Sequence, residues 1–550
     1  MKMKKSQYLL VGLLLALVLF TGCSEDNSMT KIEETTPEKE TETSDDIITA
    51  LKTIPEISGI EIGTETVYGE DSETKDIDET EDKVYNFNFT QPVDHYNPNA
   101  GTFTQRVRLI FKGFDKNVVL HTHGYNFNEE MVVYGPLATQ LDANQINVEH
   151  RYFGQSLPEN FEDSRMTYLN ADQEAHDLHN IASTLRKSLF SKGKWASTGV
   201  SKDGITTALQ AYYSDKYNWR DIDVYVPFCA PFLPGTTYSD GSFSCMDRTP
   251  GVYLYKTCGN GYAAGTAEAK GYESLKKIPY YICTNEKIRK AAIEVAYKIT
   301  PDGYRRILDQ YNQKSQYSTG NQEKDLTAYA IYVYFDRLFD KFSYVNYYRW
   351  ASLVPDVDYI ASDNATTQDI NDFKDFISWN ASALTSELKI RNLSRRASST
   401  DDIYWDVLQF RRGNVTAAYY IQGFKELGIC DNDYSSVDGT FLTAEQCFNV
   451  NYLFTEQNRY EGAYPQDRGK LMTDFLSWVE KETTMPIIFV YAYNDPWTGG
   501  GVTSDRVTLG PMVVSVVDGI AIHNDYFHNR GFYLKSSEDA IVEALNKFLK

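Results

Sequence analysis

The chain has 550 residues, of which 42% are hydrophobic and 14% aromatic, which is too apolar for a disordered protein and enough for one large core with an insertion, or for two domains. Its formal charge of −22 is concentrated: Ser24 to Lys83 holds 20 acidic and 5 basic residues, so the remaining body is only mildly acidic. No concentrated basic surface can be assembled from such a body, which argues against nucleic acid as a partner.

Met1 to Lys5 is basic and Tyr8 to Phe20 is apolar, the layout of a signal peptide. The apolar run is shorter than the ~20 residues of a spanning helix. Phe20-Thr21-Gly22-Cys23 resembles a bacterial lipoprotein box, which would make Cys23 the lipidated first residue and a membrane partner. The location expected is therefore the bacterial cell envelope, lipid-anchored on an extracytoplasmic face. Residues 24–83, rich in Glu, Asp, Thr and Lys, read as a solvated tether. Six cysteines remain (Cys229, Cys245, Cys258, Cys283, Cys430 and Cys447), an even number that suits either bridges in an oxidising compartment or free buried thiols. No CxxC pair occurs, which disfavours structural zinc.

From Val84 onward short apolar runs recur: Val118–His123, Ile146–His150, Trp195–Gly199, Val224–Phe228, Ile487–Ala492 and Met512–Val517. Each is bounded by turn-forming residues, as buried strands are. Asp172–Leu189 and Ser537–Leu549 place apolar residues at helical spacing, and Asn170 with Gln173 forms a capping-box pattern. Alternation of strand and helix predicts an α/β fold with a mostly parallel sheet. It lapses between about Gly235 and Lys470, where helical patterns such as Leu326–Phe342 dominate. That stretch predicts an inserted helical lid over the carboxyl edge of the sheet.

Gly199-Val200-Ser201-Lys202-Asp203-Gly204 lies between a strand and a predicted helix at Ile205–Tyr213. A serine on such a turn is a nucleophile elbow, with Oγ exposed at the sheet edge, although Asp203 stands where G-x-S-x-G has its second glycine. Strand 486–493 ends at Asp495, and the last strand leads to a loop with His523; the order Ser, Asp, His is that of α/β-hydrolases. Ser201 is thus the expected nucleophile, His523 its base (His528 being the rival) and Asp495 the orienting carboxylate. Lys202 N–H and, from the turn after an early strand, Tyr125 N–H are the expected oxyanion donors. His121 with His123, and His176 with His179, lack a third ligand in the sequence and read as structural, so neither a metal nor a cofactor is expected.

Phe89–Tyr96, Gly101–Arg106 and Glu149–Pro158 resemble the prolyl carboxypeptidase and dipeptidyl peptidase family. Trp195, Ser197–Gly199, Ser201-Lys202 and Gly204, with the Asp495-Pro496-Trp497 turn, resemble a sister group, the secreted bacterial tripeptidyl aminopeptidases. That resemblance implies an α/β-hydrolase core and a serine peptidase that releases tripeptides from free amino termini of peptide substrates, without a cofactor. Val200 and Asp203 depart from the small residues of that elbow. The domains expected are a signal peptide at 1–23, the tether at 24–83, the core at 84–240 and 470–550, and the lid at 241–469. Alternatives are a prolyl-type dipeptidyl peptidase or carboxypeptidase, an esterase or lipase of the same fold, and a non-catalytic surface-binding lipoprotein.

Overall fold

Nine strands pair into one sheet: β1 (Ile57–Ile62), β2 (Val84–Pro92), β3 (Thr102–Ile110), β4 (Asn117–Thr122), β5 (Ala143–Val148), β6 (Trp195–Val200), β7 (Val224–Phe228), β8 (Ile487–Ala492) and β9 (Val513–Asp518). This computed structural model describes residues 44–63, 66–68, 83–127, 131–158, 166–248, 261–335, 354–378, 416–430, 432, 434–454, 467–521, 523 and 533–550. The sheet order is β1-β2-β3-β5-β4-β6-β7-β8-β9. Pairs from β1 to β5 are antiparallel, and all pairs from β5 across to β9 are parallel. Every residue of β5, β7 and β8 is buried, as strands covered by helices on both faces must be. The polar residues of β5 are tolerated because they are bonded: Asn144 accepts from Lys112 N–H and Gly113 N–H, and Gln145 donates to the Val133 carbonyl. This is an α/β-hydrolase core.

Helix α2 (Ala171–Ser188) begins where the sequence predicts, with the Asn170 side chain accepting from Gln173 N–H at 3.0 Å. The other half of the expected capping box is absent. The Gln173 side chain instead takes His95 N–H at 2.9 Å and donates to Asp94 at 2.7 Å, fastening the entry segment to the helix. The predicted helix after the elbow is α3 (Lys202–Lys216).

The acidic segment departs from the expectation of a tether over residues 24–83. It enters the fold at Ser44, where helix α1 (Ser44–Leu51) leads into β1, the edge strand. Ile47, Leu51, Ile54 and Ile57 are buried in the main core, and that apolar content outweighs the charge around it. The signal-like run and Cys23 lie outside the described residues, as does Cys258. No helix among the described residues is long and apolar enough to cross a membrane. Cys283 and Cys447 are buried free thiols, so the bridged reading fails for these two.

The insertion is mainly helical, with helices at Ala267–Thr284, Glu286–Ile299, Pro301–Asn312 and Gln322–Val333 packed around their own apolar core. Residues 336–342 of the predicted Leu326–Phe342 helix lie outside the described residues. Trp497, just beyond β8, packs on that second core, and the Tyr419 ring lies 6.0 Å from Tyr125, just beyond β4. Glu426 accepts from Ala171 N–H at 2.7 Å, and Lys425 donates to the Met166 and Leu169 carbonyls. Burial pushes the Glu426 carboxyl up to about 7. The insertion therefore covers the carboxyl ends of the parallel strands.

One buried ion pair ties the two family-like motifs together. Arg151 grips Asp177 of α2 through two bonds of 2.7 and 2.8 Å and donates to the carbonyls of Pro92, Val93 and Tyr168. His95 adds a 2.7 Å contact to the same carboxylate. Both Arg151 and Asp177 are fully buried, so removing one strands the other's charge. Arg151→Leu is expected to lower unfolding free energy by about 3–5 kcal/mol in urea denaturation, and a loss under 1 kcal/mol would contradict this account.

Candidate active site

The elbow is built from backbone constraints. Ser201 sits at φ 60°, ψ −122°, between the end of β6 and the first residue of α3, and its N–H donates to the Phe228 carbonyl at 2.9 Å. A non-glycine residue at positive φ is strained by about 1–3 kcal/mol and persists only when its surroundings dictate it. Two glycines show how tightly they do. A Cβ on Gly199 would lie 2.6 Å from the Asp203 backbone, and one on Gly204 would lie 2.6 Å from the Phe228 carbonyl oxygen.

The carboxylate and imidazole arrive from the far side of the sheet. Asp495, fully buried, caps the short helix after β8 by accepting Trp497 N–H at 2.9 Å. Its other oxygen lies 2.9 Å from Nδ1 of His523, which is also buried. The loop that carries His523 is fixed by two residues that sequence reasoning did not single out. Asp518, at the end of β9, accepts Ile520 N–H and Ala521 N–H at 2.8 Å and Leu534 N–H at 2.7 Å. Asn494 donates to the Ile520 carbonyl at 2.9 Å. The Asp518-Gly519 turn after a strand was the available signal. The rival His528 lies outside the described residues.

Cys229 joins the two sides. It follows Phe228, the acceptor of Ser201 N–H, and its own N–H donates to Val490 of β8 at 2.8 Å. Donor atoms of Cys229, Asp495 and His523 lie within 4.8 Å of one another, all buried. Asp495 and His523 are thereby paired beside Cys229 at the carboxyl edge of β7 and β8, and Ser201 stands at the end of β6 with its N–H on the carbonyl of Phe228, the residue before Cys229.

The loop after β4 faces the elbow. Gly124 N–H donates to Asp203 at 2.5 Å, and Lys202 Nζ donates to the Gly124 carbonyl at 2.7 Å, beside the rings of Tyr125 and Phe153. Phe127 N–H goes to Glu149, whose carboxylate also takes Gln155 N–H, Ser156 N–H and the Ser156 hydroxyl. The Tyr125 carbonyl accepts His150 N–H. Lys202 N–H, on the first residue of α3, has no acceptor within its own helix.

The expectation that His121 and His123 lack a carboxylate changes in three dimensions. Their ligand atoms and one from Asp203 lie within 4.8 Å of one another. The Lys202 ammonium beside Asp203 and the Arg108 guanidinium beside His123 make the surroundings electropositive, which opposes a further cation. Burial holds His121 down to about 4 and His123 well below the usual imidazole range, so both are neutral. The Asp203 carboxyl, pushed up to about 7 by burial, is engaged with Gly124. His176 bonds to the Asp172 carbonyl, and His179 pairs with Asp221 and stacks on Trp219, which are structural roles.

Known proteins match the first part of this body. Residues 69–243 match the family described as PS-10 peptidase S37. This segment contains the elbow, and it is similar to that family. A prolyl tri/tetrapeptidyl aminopeptidase of Streptomyces mobaraensis is 36% identical over 143 residues, 26% of this chain and 28% of that protein. A serine protease of Bipolaris victoriae is 31% identical over 108 residues, 18% of this chain and 20% of its own. The alignments thus span less than a third of either relative. The solved structure of a rice cell wall degrading esterase from Xanthomonas oryzae, 10% identical, aligns over 90% of this chain and 98% of its own with a TM-score of 0.31. The fold assignment rests on the sheet order instead. The resemblance to tripeptidyl aminopeptidases holds over the matched segment.

Because the Gly199 clash is with backbone, no side-chain rotation relieves it. Gly199→Ala is expected to abolish esterase and peptidase turnover or to lower Tm by several degrees. Wild-type activity at wild-type Tm would show that the elbow tolerates a Cβ there.

Proposed function

We propose that the chain is an exported, lipid-anchored serine peptidase that releases short peptides, tripeptides foremost, from free amino termini. The observation that carries the reading is the buried His523–Asp495 pair after β8 and β9, together with a serine held at positive φ at the end of β6 of the same sheet. Ser201 Oγ attacks the scissile carbonyl carbon while His523 Nε2 takes its proton. Asp495, bonded to Nδ1, fixes that tautomer and stabilises the imidazolium. Lys202 N–H at the amino end of α3, together with Tyr125 N–H, receives the oxyanion. His523 returns the proton to the leaving amine, and water then attacks the acyl-enzyme by the same route in reverse. Similarity of the elbow segment to S37 peptidases supports a peptide substrate.

The test is a set of chromogenic di-, tri- and tetrapeptide anilides, each with a free or acetylated amino end. Free tripeptides should be cleaved best, and Ser201→Ala or His523→Ala should lower kcat by about 10³-fold or more. Equal turnover of free and acetylated peptides would defeat the exopeptidase reading; near-normal activity of Ser201→Ala would remove the nucleophile. Lipid anchoring rests on the Phe20–Cys23 sequence. Cys23→Ser is expected to shift the protein from the membrane pellet to the soluble fraction, and an unchanged distribution would refute the anchor.

A further inference from the structure

The elbow carries two charged side chains that the catalytic steps do not use, those of Lys202 and Asp203. Lys202 is buried and Asp203 half-buried, and Asp203 stands where the elbow pattern has a glycine. Burial pushes the Lys202 ammonium down to about 8 and the Asp203 carboxyl up to about 7, so each is kept at a desolvation cost that an uncharged residue would avoid. The ammonium is also flanked by Glu174, which lines a small cavity behind the elbow with His150 and Gln422 and whose carboxyl burial pushes up to about 8. His121 and His123, beside Asp203, are neutral and supply it with no charge.

Both side chains end on one residue of the facing loop. Asp203 accepts Gly124 N–H at 2.5 Å, and Lys202 Nζ donates to the Gly124 carbonyl at 2.7 Å. The approach is close: a Cβ on Gly124 would lie 2.6 Å from the Asp203 carboxylate, 2.9 Å from Lys202 Cγ and 3.0 Å from the Asp203 backbone nitrogen. On the far side the Tyr125 carbonyl accepts His150 N–H at 3.3 Å. Of the four backbone polar groups of Gly124 and Tyr125, three are therefore held, and Tyr125 N–H has no acceptor among the described residues.

Peptide geometry turns these bonds into a direction. In a planar trans peptide the C=O and the following N–H point opposite ways. Fixing the Gly124 carbonyl on Lys202 Nζ thus turns Tyr125 N–H away from the ammonium. Gly124 has no side chain to limit rotation of that peptide, and the Asp203 bond holds the peptide before it. An unserved N–H beside the first turn of α3 is what an oxyanion requires as its second donor.

We propose that Lys202 and Asp203 are positioning residues whose side chains clamp Gly124 and keep Tyr125 N–H turned to the oxyanion. This rests on the serine-peptidase reading above. The test measures, on the full chain, kcat and KM for a tripeptide anilide and Ki for the matching tripeptide boronic acid, whose tetrahedral adduct on Ser201 places an oxygen where the oxyanion forms. The variants are Asp203→Ala, Asp203→Asn and Lys202→Met, the last leaving its backbone N–H in place. In Asp203→Ala and Lys202→Met, kcat should fall about 10–100-fold with KM within about 3-fold of wild type, and Ki/KM should rise by the factor that kcat loses. That ratio does not depend on the folded fraction. Asp203→Asn keeps an acceptor for Gly124 N–H and should hold kcat within about 3-fold of wild type. Wild-type kcat and Ki/KM in either Asp203→Ala or Lys202→Met, or a loss in Asp203→Asn as large as in Asp203→Ala, would overturn the clamp. Failure of wild type to cleave any peptide anilide, or persistence of cleavage in Ser201→Ala, would instead overturn the peptidase reading itself.

Discussion

The structure turns on one backbone conformation. Ser201 must leave β6 and enter α3 within a single residue, and only a positive φ achieves so sharp a reversal. The strain is held by contacts that no side chain can replace: Gly199 against the Asp203 backbone, Gly204 against the Phe228 carbonyl, and Ser201 N–H on that same carbonyl. β7 therefore braces the elbow from below, and its next residue, Cys229, meets the Asp495–His523 pair. A displacement of β7 would disturb Ser201 and the Asp495–His523 pair together.

Around this point loops are fixed by carboxylates that collect backbone N–H groups. Glu149 holds the loop after β4 to the turn after β5, Asp518 holds the His523 loop, and Asp495 caps its own short helix. Such bonds to a buried charge are individually worth about 1.5–3 kcal/mol, enough to make short loops behave as rigid parts. The Glu149-His150-Arg151 stretch shows a division of labour. Glu149 places the loop beside the elbow, Arg151 locks α2 to the entry segment through Asp177, and His150 faces the cavity between them.

The insertion closes the edge without joining the sheet. It has a separate apolar core around its first helices, while Ala418, Ile421 and Phe424 pack with Tyr152, Phe153, Met166 and Leu169, Leu427 joins the main core, and Glu426, Lys425, Tyr419 and Trp497 make further contacts with the body.

The parallel strands and α2 were legible because periodicity and capping are local: apolar runs of strand length and an Asn170 side chain positioned for its own helix. Ser201, Asp495 and His523 were legible as an order along the chain, since each follows a strand end. The acidic amino-terminal segment misled, because its net charge masked four apolar residues, Ile47, Leu51, Ile54 and Ile57, whose burial depends on the pairing of β1 with β2. Tertiary structure alone decided that Asp203 answers Gly124, that Cys229 meets the Asp495–His523 pair, and that His150, Glu174 and Gln422 share one cavity. These residues are separated by up to hundreds of positions. Periodicity carries no information about which side chains a crossover brings within hydrogen-bonding reach, whereas sheet order and burial fix it.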